Sequence, residues 1–191
     1  MKNLKDLYQN QKIARTRFID SLNPRSFDFQ IATWFGSGLI IPAPGTWGTL
    51  GGLVFGVPLL LMTNAMVVFL TAIVLFFIGL KSVERLEQKL DSHDPSFIVI
   101  DEVAAILLGL SAISVNTFRE IWPEAILLFI FFRVFDAWKP WPISWIDRKV
   151  RGAWGVMLDD ILAVIFAFIS YKIIFILLIL SILPDDFGTD F

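Results

Sequence analysis

The sequence predicts an all-α fold, a multi-spanning membrane helix bundle of four to five transmembrane helices whose first span is broken by Pro and Gly. Three observations carry this. Hydrophobic residues make up 56% of the 191 positions, and mean hydropathy is +0.70, above the usual range of soluble domains. Apolar runs long enough to cross a bilayer recur, divided by short charged segments. Phe and Trp are abundant, at nineteen and seven. The length suits one domain. It is expected over residues 31–183, after a cytoplasmic N-terminal segment (1–30) and before a short acidic tail (184–191). A net charge of −2 provides no basic field for nucleic acid. The absence of Cys removes disulfides, thiolate metal sites and cysteine nucleophiles.

Each element follows from local pattern. In residues 1–30, Lys2, Lys5, Lys12, Arg15, Arg17 and Arg25 alternate with Leu4, Leu7, Tyr8, Ile13 and Phe18 at roughly helical spacing. An interfacial helix on anionic lipid and a solvated tail both fit. Without an apolar core this stretch is not a signal peptide. Trp34 to Met62 is apolar but carries Pro42, Pro44, Pro58 and seven glycines, so an irregular loop is expected, then a helix from about Thr49. Ala65 to Leu80 reads as a second span, and Lys81 to His93 as a charged loop. The third span is expected from about Pro95 to Ile113, with Asp94 as its cap and Pro95 in its first turn. Ile121 to about Trp138 forms the fourth. A Trp/Pro-rich segment, Lys139 to Gly155, precedes the fifth, Met157 to Leu183, about 40 Å long as a helix.

Charge sets the expected orientation. With the N-terminus inside and five spans alternating, every Lys and Arg except Arg119 and Lys172 falls on the cytoplasmic side; a first span that is re-entrant instead of crossing redraws that alternation. Trp34, Trp47, Trp138, Trp141, Trp145 and Trp154 gather at that face. Asp94, Asp101, Glu102, Arg133, Asp136, Lys139, Asp147, Asp159 and Asp160 reach the same layer, as does the Pro44-Gly45-Thr46 stretch. A site at the inner leaflet follows more naturally than a pore.

The chemistry begins with Asp101 and Glu102, two carboxylates inside an apolar run, costly unless paired or bound to a metal. With Asp159 and Asp160 they make a candidate Mg²⁺ site, since Mg²⁺ takes oxygen ligands from carboxylates, water and substrate phosphate. Asp159 and Asp160 also fit a helix N-terminus that answers the macrodipole. Arg133, Asp136 and Lys139 follow at i, i+3 and i+6. They read as phosphate-binding cations around an orienting or metal-binding Asp136, or as a structural ion pair. Gly45, Thr46 and Thr49 offer backbone N–H groups and hydroxyls to an anion, though the Walker ending is missing. His93, the one histidine, reads as a loop residue, and Lys172 either snorkels outward or pairs within the bundle.

Together these segments resemble the phosphatidylglycerophosphatase A family. The resemblance rests on Gly36-Ser37-Gly38, on Pro42 through Leu50, and on His93-Asp94 through Ile98-Val99-Ile100-Asp101-Glu102. It continues through Phe132 to Ile143, Asp147-Arg148, and Gly155 through Asp160, spanning about residues 30 to 170. Thr49 stands where the family usually has Ser, Ala153 replaces a Gly, and Ala163-Val164 replaces an Ala-Gly. The resemblance implies a Mg²⁺-dependent enzyme of the bacterial inner membrane. Its implied reaction removes the terminal phosphate of phosphatidylglycerophosphate, giving phosphatidylglycerol at the cytoplasmic face.

On this reading Asp101, Glu102, Asp136 and Asp160 are catalytic. Asp101, Glu102, Asp159 and Asp160 hold Mg²⁺, and Gly45, Thr46, Thr49, Arg133 and Lys139 bind the substrate phosphate. Attack by water and attack by a carboxylate both remain open. Three rivals are a cation-coupled transporter, a CDP-alcohol phosphatidyl transferase and a non-catalytic scaffold. The transporter expects polar groups throughout the bilayer depth, whereas here they crowd one face. The transferase lacks its Asp-Gly…Ala-Arg…Gly…Asp…Asp signature. The sequence leaves the oligomeric state open.

Overall fold

The computed structural model describes residues 19, 22–90, 95–113 and 118–182. Most of the expected amphipathic segment, together with His93, Asp94 and the acidic tail, lies outside these. The described residues form seven α-helices and no strand, in keeping with the all-α expectation.

Helix α1, Phe27–Ala32, starts at Ser26, whose Oγ accepts the Phe29 N–H at 3.3 Å. It buries Phe29, Ile31 and Ala32. Helix α2 is Pro44–Met62, so it begins a turn earlier than expected. Ala43 takes a left-handed φ of 59°, and Pro44 sits at the start of the helix, where its missing N–H costs nothing. The presumed glycine loop is therefore helical, and the glycines have another use. Gly48, Gly52 and Gly56 form a stripe on one face, and Cβ atoms there would run into Val99, Ile106, Leu107 and Leu110. They let two helices approach closely, as small residues do between membrane helices.

Helix α3, Ala65–Leu90, continues straight through the expected charged loop. Leu80, Val83, Leu86 and Leu90 recur at helical spacing and are buried, while Lys81, Glu84, Arg85 and Lys89 face outward. The charges mark one face of a helix, not a loop. Arg85 Nη1 reaches Asp28 Oδ1 at 3.0 Å, which ties α3 to α1.

Helix α4, Ile100–Ser111, is the centre of the fold, packed against α2, α3 and two later helices. It corrects the expected third span. Pro95 to Val99 is not helical, because Val99 donates its N–H to the Ala32 carbonyl at 2.8 Å and the chain lies against α1. Twelve residues give about 18 Å, short of a bilayer crossing. A core helix enclosed by other helices is as apolar as a span, and length alone separates the two.

Helix α5 is Phe118–Trp138, α6 is Ile143–Lys149 and α7 is Ala153–Ile182. Among the described residues three helices are long and apolar enough to cross a membrane: α2, α3 and α7 over Ala153–Leu177. Helix α5 has the length, about 31 Å, but carries Glu124, Arg133 and Asp136. Contacts fix relative direction. Gly48, Gly52 and Gly56 meet Val99, Ile106 and Leu107 in order, so α2 and α4 run parallel. Gly109 of α4 meets both Val164 and Leu128, and Gly79 meets Ile100 and Met157. Arg133 meets Glu102. Helices α2, α4 and α7 therefore begin at the end of the bundle where α3 and α5 finish. Exposed Trp47, Trp138, Trp141, Trp145 and Trp154 ring that end.

Toward the opposite end, Glu124 of α5 accepts from Lys172 Nζ at 2.6 Å and from the Tyr171 hydroxyl at 3.1 Å. Lys172 thus pairs within the bundle. Its ammonium also lies 5.3 Å from the Tyr171 ring centroid.

Candidate active site

The acidic pair occupies the first turn of α4, where backbone N–H groups lack helical partners and negative charge is favoured. Both residues are buried, at 8% and 9% exposure for Asp101 and Glu102. Asp160 comes from α7, parallel to α4. It lies two turns inside that helix, whose first turn holds no acid, so the macrodipole does not account for it. Carboxylate oxygens of Asp101, Glu102 and Asp160 all fall within 4.8 Å of one another. Glu102 Oε2 is buried with no hydrogen-bond partner. Three buried carboxylates at this spacing repel when ionised, and a cation between them or a shared proton relieves that repulsion. Hard oxygen donors with one orphaned oxygen suit a hard divalent ion.

Asp159 points elsewhere. Its Oδ2 lies 2.6 Å from Lys139 Nζ, and its Oδ1 accepts the Asp160 N–H at 3.1 Å. Of the four expected metal ligands, three converge and Asp159 pairs with Lys139. Lys139 also donates to Asp147 Oδ1 at 2.6 Å. Burial alone would depress the Lys139 ammonium. The hydrogen bonds and charges of Asp147 and Asp159 outweigh burial and hold it above the usual lysine range.

Arg133 bridges the other side. Its Nη1 lies 2.8 Å from Asp136 Oδ2 and 3.7 Å from Glu102 Oε1, and it donates to Thr49 Oγ1 at 3.5 Å. The Thr49 hydroxyl in turn donates to the Gly45 carbonyl at 2.8 Å. Gly45 is there for space. A Cβ would collide with Glu102 Oε1 and come within 3.2 Å of both Arg133 terminal nitrogens. Thr46, the next residue, is half-buried in the same first turn.

A cavity of about 170 Å³ is lined by Ser96, Ile98, Asp101, Glu102, Asp136, Lys139, Asp147, Gly155, Val156, Asp159 and Asp160; of the expected phosphate-binding residues Lys139 lines it, and Gly45, Thr46, Thr49 and Arg133 do not. One water needs roughly 10–15 Å³, so the cavity has room for several small groups. Asp147, expected in the shared polar layer, has no expected role there. Its signal is its place eight residues after Lys139, on the short helix α6.

Comparison with known proteins bears on the family. Residues 30–175 match the family model described as Phosphatidylglycerophosphatase A. The chain is 37% identical over 151 residues to "Phosphatidylglycerophosphatase A" of Haemophilus influenzae, covering 79% of this chain and 88% of that one. It is 37% identical over 144 residues to the Escherichia coli protein of the same name, covering 75% and 81%. A Bacteroides thetaiotaomicron protein named "Putative phosphatidylinositol-3-phosphatase" is 36% identical over 143 residues, covering 73% and 87%. No solved structure matches the chain.

Proposed function

The chain belongs to the phosphatidylglycerophosphatase A family, and on that premise we propose that it removes the terminal phosphate of phosphatidylglycerophosphate in phospholipid biosynthesis. One observation supports this most: three buried carboxylates from α4 and α7 meet beside an Arg–Asp pair from α5, in a polar cavity at one end of an apolar bundle.

In this reading Asp101, Glu102 and Asp160 hold Mg²⁺. When bound, the ion supplies Lewis-acid polarisation of the phosphate oxygens and offsets the site's negative charge. Arg133, oriented by Thr49 and Asp136, meets the phosphate oxygens and steadies charge as it builds on them. Asp136 takes a proton from the attacking water. A bond forms from the water oxygen to phosphorus, and the bond from phosphorus to the glycerol oxygen breaks. The electron pair stays on that oxygen, which receives the proton. Gly45 leaves Glu102 and Arg133 room to sit against the start of α2.

Orientation follows from charge. Arg85, Lys89, Arg148, Lys149 and Arg151 lie at the end that holds the carboxylates, with the exposed Trp ring. That pattern supports a site at the cytoplasmic leaflet of a bacterial inner membrane. The name of the Bacteroides relative makes a phosphoinositide the competing substrate.

The test is phosphate release from vesicles carrying phosphatidylglycerophosphate or phosphatidylinositol-3-phosphate, with Mg²⁺ and with EDTA. Release from the first substrate that stops in EDTA supports the reading. No release with Mg²⁺ present defeats it, and release from the phosphoinositide alone transfers it to that substrate.

A further inference from the structure

We propose that Lys139 is a built-in second cation of this site, so that the cavity takes one divalent ion and not two. The inference rests on the metal reading above. Phosphoryl-transfer sites with two metals clamp the reacting phosphate between two positive charges. Here six carboxylates line one cavity: Asp101, Glu102, Asp136, Asp147, Asp159 and Asp160. Asp136 pairs with Arg133, and the other five divide into two groups. Asp101, Glu102 and Asp160 share a space with room for an ion, into which the buried, unbonded Glu102 Oε2 opens. Asp147 and Asp159 instead grip the Lys139 ammonium, each at 2.6 Å.

The backbone supports a dedicated role. Lys139 directly follows the last residue of α5 and takes a φ of 44°, a left-handed conformation that favours glycine. A lysine held there is kept for its side chain. Its carboxylate partners come from two different helices, α6 and α7, which fixes the ammonium against the cavity wall. A single charge on a tether cannot dissociate, so the site keeps half of its clamp permanently.

The experiment counts Mn²⁺ bound per full-length chain in detergent micelles, by equilibrium dialysis with electron paramagnetic resonance of the free ion. Wild type is expected to bind one. Lys139→Arg is expected to bind one as well. Lys139→Gly, which suits the left-handed backbone and leaves space, is expected to bind two, because Asp147 and Asp159 lose their cation. Lys139→Ala is the second variant, with the same expectation, and Asp147→Asn added to Lys139→Gly returns the count to one. Two ions in wild type, or one in both Lys139→Gly and Lys139→Ala, overturns the inference and leaves the metal reading standing. No ion in wild type overturns the metal reading itself.

Discussion

Gly45→Ala separates the site from the fold. The new methyl collides with Glu102 Oε1 and comes within 3.2 Å of both Arg133 terminal nitrogens. These are the ends of flexible side chains, so the backbone need not move. Glu102 must retreat by roughly 1 Å to regain van der Waals distance. Alanine's better helix propensity offsets up to about 1 kcal/mol of the strain. Net stability should therefore change by less than about 1 kcal/mol. Activity should not be spared, because a displacement of about 1 Å at a reacting centre costs about 100-fold, or ~2.7 kcal/mol of transition-state stabilisation. Gly48→Ala is the contrast. Its methyl would meet Val99 Cβ at 2.5 Å, an atom bonded directly to the backbone, so the helices must part at a cost of about 1–3 kcal/mol. The assay pairs kcat/KM for phosphate release from vesicles with thermal unfolding of the purified protein. Wild-type kcat/KM in Gly45→Ala would refute the claim that Glu102 and Arg133 act where the structure puts them.

The remaining predictions address other parts of the molecule. Glu102→Gln and Asp160→Asn should each lower phosphate release by at least about 100-fold and lose Mn²⁺ binding while still inserting; retained Mn²⁺ affinity removes that residue from the ion site. Extracting metal with EDTA should abolish turnover and Mg²⁺ should restore it, whereas turnover unaffected by chelation points to metal-free hydrolysis. Glu124→Gln leaves the Lys172 charge without its counter-ion and should cost about 3 kcal/mol, the low end for a broken buried pair because Lys172 keeps 29% exposure. Pairing Glu124→Leu with Lys172→Met should recover most of that loss in the melting temperature, and no recovery would mean that the pair is not what links α5 to α7.

Much of the fold was legible because apolar length and charge asymmetry are strong signals in a membrane protein. They located α2, α3, α5 and α7 and the shared polar end. The errors have physical causes. Lys81 to Leu90 looked like a loop because its charges were read without the buried Leu80, Val83, Leu86 and Leu90 that recur beneath them. The Gly45 to Thr49 stretch looked like an anion loop because glycine serves close helix packing and loop formation alike. Asp101 and Glu102 looked like mid-span charges because a twelve-residue core helix, extended by the buried Phe97, Ile98 and Val99, mimics a longer span. In the candidate site, residue identity was easier to read than partnership. Asp136 stood out by its spacing from Arg133, but only the packing of α6 and α7 reveals that Lys139 turns to Asp147 and Asp159.

A change of metal preference tests most directly whether these carboxylates hold the ion that hydrolysis needs. The chain has no cysteine, so Asp160→Cys introduces one thiol without background. A thiolate ligand disfavours Mg²⁺ and favours softer ions. The account predicts that Asp160→Cys loses phosphate release in Mg²⁺ and regains it in Cd²⁺. Wild-type turnover of this variant in Mg²⁺, or no response to Cd²⁺ in a folded protein, would contradict it.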